Sequence, residues 1–141
     1  MRLWHKDLIP YLPDLQLKGQ LRECALIADA LAKNGTPNHL LVNRMTEYPS
    51  DHFYTYCILV WSEMQKRNFK TTIQSERRVF DIAGKVVDDI FFDWHNLEYL
   101  RICYANLLEK HNGIGKSRIT DEEWKRLCDG YKSITGEEYS V

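Results

Sequence analysis

The chain has 141 residues, 44% of them hydrophobic, and a formal net charge of −1. That length and apolar share exclude a disordered chain and lead us to expect one domain, residues 1–141, with its own core. The near-neutral balance excludes a uniformly basic nucleic-acid binder, because such proteins draw their grip from Lys and Arg at phosphates.

In chain order, the segment Arg2 to Ile9 is too short and mixed to read as helix or strand, and Pro10 and Pro13 punctuate the residues after it. Asp14 is a candidate N-cap, and Leu17, Leu21, Cys24, Ala28 and Leu31 then recur at three- and four-residue intervals until Asn34-Gly35 closes the helix. Thr36-Pro37 is a second start signal, so a short helix is expected between His39 and Tyr48. Ser50-Asp51 opens a clear helix in which Phe53, Cys57, Val60 and Met64 form one row and Tyr54, Ile58 and Trp61 another. Asn68 can take a left-handed cap, folding Phe69 back on the last turn.

Residues 71–92 read as a helix capped by Ser75 with Val79, Ile82, Ala83, Val86 and Ile90 inward, with an extended Thr71 to Ile73 as the alternative for its start. A helix from Asp93 carries Leu97, Leu100, Tyr104, Leu107 and Leu108 to Asn112-Gly113. Thr120 and Glu123 spell a capping box before Trp124, Leu127, Cys128 and Tyr131, and the tail from Ser133 is expected to be loose. The sum is all-α, four to six helices with short connections.

Cys24, Cys57, Cys103 and Cys128 lie far apart, with no C-x-x-C and no paired Cys/His spacing. Buried free thiols are therefore expected, with neither metal site nor disulfide framework. The other histidines, His39, His52, His95 and His111, show no ligand spacing and are expected at the surface or at caps. No apolar run approaches eighteen residues and the start lacks a signal-peptide layout, so a cytoplasmic protein without membrane contact is expected. Charge is uneven: residues 1–80 hold eleven Lys/Arg against eight Asp/Glu, residues 81–141 eight against twelve. A phosphate-contacting face fits the first half, where Lys66, Arg67, Lys70, Arg77 and Arg78 cluster.

The chemistry concentrates in the opening residues. At 100° per residue Glu23 falls on the border of the apolar stripe, beside Gln16, Gln20 and Ile27, where a carboxylate can be half buried facing the N-terminal segment. Leu8, Leu12, Asp14, Leu17, Arg22 and Glu23 together meet the pattern L-x-x-x-L-x-D-x-x-L-x-x-x-x-R-E. In this the chain resembles the pyrimidine-dimer DNA glycosylases of the phage endonuclease V type, most strongly over residues 1–70. The resemblance implies a glycosylase and abasic-site lyase acting on damaged double-stranded DNA, as a monomer and without cofactor. It implies that the N-terminal amine displaces the base and forms a Schiff base at C1′, with Glu23 as acid/base at the sugar and Arg22 at a phosphate. An α-amine titrates near 8, so a useful fraction is neutral at cytoplasmic pH.

Two positions depart from the family pattern. Leu26 stands where another basic residue is expected, and Arg2 stands where a small residue would let the initiator methionine be removed. Met1 is then expected to remain. Either its amine is the nucleophile, with Arg2 near the phosphates, or the scaffold survives without the reaction. Trp4 and His5 suit an unstacked base, or else serve as core and as a partly exposed hydrogen-bonding residue. The candidate site is thus Met1 and Glu23 for catalysis, with Arg2, His5, Arg22, Lys66 and Arg67 for DNA. The alternative is a non-catalytic helical module that binds nucleic acid or protein.

Overall fold

Why this chain becomes a bundle is visible in its helix ends. The computed structural model describes residues 2–137 except 38, 41, 83 and 114–118, and among them there are α-helices and 3-10 turns but no strand. The helices are α1 (Asp14–Asn34), α2 (Ser50–Lys66), α3 (Ile73–Phe80), α4 (Leu97–His111) and α5 (Asp121–Thr135), with 3-10 turns at Lys6–Tyr11 and Asn43–Glu47. The all-α expectation holds.

In α1 the expected stripe is buried at Leu17, Leu21, Cys24 and Ala28, and Gly35 at φ 75° closes the helix with its N–H on the Leu31 carbonyl. Its start differs from expectation. Asp14 is the first helical residue rather than the cap, and its N–H is satisfied from across the fold by Glu123 Oε2 at 2.8 Å. Glu123 also completes the Thr120 capping box with Oε1, so one carboxylate serves the starts of α1 and α5. Burial raises its pKa, but the hydrogen bonds from Asp14 and Thr120 outweigh that and hold it below the usual carboxylate range.

Helix α2 buries Phe53, Cys57, Val60 and Met64 as expected, and Tyr56 besides. Asn68 adopts φ 59° and the Phe69 N–H reaches the Met64 carbonyl, the expected left-handed stop. Where a short helix was expected between His39 and Tyr48, the described residues form the 3-10 turn Asn43–Glu47.

The expected long helix over 71–92 is corrected. Thr72, not Ser75, caps α3, which ends at Phe80 with Val79 its only buried residue. Beyond it the chain runs along α2, where Asp51 accepts the Lys85 N–H at 2.9 Å and Thr55 Oγ1 accepts that of Val87 at 3.0 Å. Gly84 permits this approach, because a Cβ there would sit 3.0 Å from Asp51 Oδ1 and 3.2 Å from the Asp51 Cα. Val86 is consequently 63% exposed, while Ile90 and Phe91 turn inward. Ala83 lies outside the described residues.

Helix α4 starts four residues later than expected. Trp94 and His95 both donate to the Phe91 carbonyl, and Asn96 then caps through Tyr99 N–H at 2.9 Å. At the far end, α5 continues past Ser133 to Thr135, and Gly136 at φ 72° closes it. The tail is therefore helical rather than loose as far as this cap, and Glu137 beyond it pairs with Arg101.

Helices α2 and α3 pack on α1, and α5 packs on α4 and on the 3-10 turn Lys6–Tyr11. The free thiols of Cys24, Cys57 and Cys103 are buried, as expected, and that of Cys128 is half-buried. Among the described residues, no helix is long and apolar enough to cross a membrane.

Candidate active site

The opening residues have no strand partner, yet their backbone polar groups are met by side chains. Arg2 and Trp4 turn theirs to one edge. There Glu23 Oε2 accepts the Arg2 N–H at 3.3 Å, Gln20 Nε2 donates to the Arg2 carbonyl at 3.0 Å, and Gln20 Oε1 accepts the Trp4 N–H at 2.8 Å. The Tyr56 hydroxyl donates to the Trp4 carbonyl at 2.6 Å. Leu3 turns its carbonyl to Tyr99, whose hydroxyl donates at 2.6 Å. A little further on, the Lys6 N–H donates to His95 Nδ1 at 3.0 Å. Side chains from α1, α2, α4 and the turn before α4 thus take main-chain bonds that a neighbouring strand would otherwise make.

The donors are kept neutral by their surroundings. Burial pushes the Tyr56 and Tyr99 phenols far above their ordinary pKa, aided by nearby thiols, so both remain O–H donors. His95, expected at the surface, is buried among the rings of His5, Tyr56, Phe91, Trp94 and Tyr99. Burial, with His5, Lys6 and Arg44 nearby, drives its pKa down to about 2. Its Nδ1 accepts from Lys6, so the proton sits on Nε2, which is buried with no hydrogen-bond partner among the described residues.

Glu23 is half-buried on α1, facing the N-terminal segment as its border position requires. Its Oε2 takes the Arg2 N–H and lies 3.4 Å from Gln20 Nε2, while no hydrogen bond to Oε1 is formed among the described residues. Arg22, one residue earlier, is exposed and folds over Gly19. The Arg2 guanidinium lies 5.2 Å from the centre of the Trp4 ring, in cation–π range. Met1 is outside the described residues.

Not every expected residue joins this group. His5 is only 2% exposed, and both ring nitrogens are engaged: Nε2 donates to the His95 carbonyl at 2.9 Å and Nδ1 accepts the Asp7 N–H. Burial lowers its pKa, against the pull of Asp7. His5, expected at the DNA, is thus buried and tethered within the fold. Trp4 is likewise core. Arg67 is also a structural clamp, its side chain 10% exposed and bonded to Glu63, Asp14 and the carbonyls of Leu12 and Pro10. Lys66 is exposed beside it, at the end of α2. Leu26 stays 47% exposed one turn beyond Arg22.

Grooves of about 470 Å³, between Ala28, Leu31 and Arg78, and about 540 Å³, between Lys6, Leu59 and Val87, open elsewhere, and neither is lined by Glu23. Sequence reasoning did not single out Gln20, Tyr56, His95 or Tyr99. Only Gln20 left a signal, a polar residue one turn from Glu23 on the inward side of the helix.

The fold thus brings the segment that begins at Arg2 against a half-buried carboxylate, next in sequence to an exposed arginine. The sequence model of the pyrimidine dimer DNA glycosylase family matches residues 1–77, more than half of the chain. The chain belongs to that family. Comparisons with curated proteins and with solved structures gave no match.

Proposed function

We propose that the chain is a DNA repair glycosylase with abasic-site lyase activity, acting on pyrimidine-dimer lesions in double-stranded DNA through the α-amine of Met1 and the carboxylate of Glu23. The observation that carries this reading is the Arg2 N–H on Glu23 Oε2 at 3.3 Å. Covalent geometry keeps the α-nitrogen of a residue preceding Arg2 within about 3.7 Å of the Arg2 nitrogen. It is an amine one residue before Arg2 that this proposal brings to the carboxylate.

The neutral amine attacks C1′, and the glycosidic bond breaks with its electron pair leaving on the base. The amine nitrogen then loses a proton as the C1′–O4′ bond opens, giving the imine, and Glu23 in its acid form protonates O4′. As the carboxylate it next removes a proton from C2′. The C3′–O bond breaks, the 3′ phosphate leaves with the pair, and water hydrolyses the imine to restore the amine. Every group in these steps belongs to the chain, the DNA or water. In this proposal Arg22 and Arg2 contact phosphates flanking the sugar, and Lys66 the DNA backbone farther away. His5 and Arg67 are not part of this set.

The test is borohydride reduction of the protein mixed with a duplex carrying one abasic site, read by intact mass and then by mapping the N-terminal peptide. We expect an adduct on Met1, slowed on the order of 10²- to 10⁴-fold in Glu23→Gln. Folded protein with a free α-amine that binds the duplex and gives no adduct would leave the scaffold as a binding module.

A further inference from the structure

Gln20 is 1% exposed, and its carboxamide lies between the two halves of the proposed chemistry. Nε2 donates to the Arg2 carbonyl at 3.0 Å and reaches Glu23 Oε2 at 3.4 Å. Oε1 accepts the Trp4 N–H at 2.8 Å and lies 3.0 Å from the Tyr56 hydroxyl, whose single proton goes first to the nearer Trp4 carbonyl. The amide has one workable orientation. Flipped, it would set NH₂ against the Trp4 N–H and a carbonyl oxygen against both the Arg2 carbonyl and the Glu23 carboxylate.

We propose that Gln20 is the positioning residue of this active site, fixing at once the register of the amino-terminal segment and the rotation of the Glu23 carboxylate. The assignment rests on the α-amine as nucleophile. By pinning the peptide groups on both sides of Leu3, Gln20 fixes where the main chain emerges at position 1. By holding Oε2, it turns Oε1 to be the oxygen that exchanges protons with the sugar. Amine and carboxylate are thereby held by the same amide, so neither can shift without the other.

The experiment compares wild type with Gln20→Met, which keeps the length of the side chain and removes all four polar contacts. Three quantities are read: affinity for the abasic duplex by anisotropy, single-turnover adduct formation against pH, and titration of the Met1 α-amine by NMR with ¹³C-labelled methionine. We expect affinity unchanged within about twofold, adduct formation about 10- to 100-fold slower at saturating DNA with a displaced pH profile, and a displaced amine titration. Equal rates and pH profiles in the two proteins would overturn the proposal. If wild type itself forms no adduct, the amine mechanism falls, and the NMR titration decides Gln20 alone: a displaced midpoint in the variant upholds the positioning role, and an unmoved one overturns it. Should Gln20→Met not fold, Gln20→Glu, which keeps the acceptor for Trp4 and loses the donor to Glu23, takes its place under the same criteria.

Discussion

His95 carries a buried imidazole whose pKa lies near 2, and His5, stacked on it, is also shifted down. The unfolded chain binds these protons near pH 6.5, while the folded one resists them. Stability is thus fully present above that value and falls as pH drops below it, through the whole window down to about 2 for His95. At pH 5.5 the loss from His95 alone is about 1.4 kcal/mol. Urea denaturation of wild type and His95→Gln at pH 7.5 and 5.5 checks this: the variant is weaker at pH 7.5 but loses less between the two. An equal loss in both would remove His95 as the source. At this scale Glu23 was legible, because helical periodicity alone puts it on a border. The fates of His5, Arg67 and His95 were not, because bonds that hold them run to residues 53 to 90 positions away in sequence, from Arg67 to Asp14, from Lys6 to His95 and from His5 to His95.

Among the elements, the contact between α5 and the turn Lys6–Tyr11 is drawn closest at Gly130. A Cβ there would stand 2.3 Å from the Tyr11 ring, and Arg126 on the same helix donates to the Pro10 carbonyl at 2.6 Å. Gly130→Ala must push the turn away, so we expect a loss of about 1–3 kcal/mol, measured by thermal or urea unfolding. An unchanged midpoint would mean that the ring swings aside freely. Element boundaries set by neighbours in sequence were readable: Gly35, Asn68 and the Thr120–Glu123 box all behave as their residue types dictate. Residues 81–96 were not, because Asp51, Thr55 and Asn96 capture backbone groups that a continuous helix would have used internally.

Across the whole molecule, we propose that residues 1–141 form one folding unit. Glu123 bonds to the start of α1, and Tyr99 and His95 to residues 3 and 6. Trp4 and Trp61 lie in the first half and Trp94 and Trp124 in the second, so fluorescence samples both. Far-ultraviolet circular dichroism and tryptophan fluorescence should give one coincident denaturation curve. Two separated transitions would divide the chain in two.

The hold on Leu3 and Lys6 has a bearing on lineage. The stretch that identifies the family ends at residue 77, yet Tyr99 and His95 belong to the part beyond it. A protein cut there would keep the signature and lose two of the bonds that anchor its opening residues, leaving the Leu3 carbonyl and the Lys6 N–H to water. Ancestry is thus written in one half of this chain, whereas the bearing on which its amino end rests is machined partly in the other.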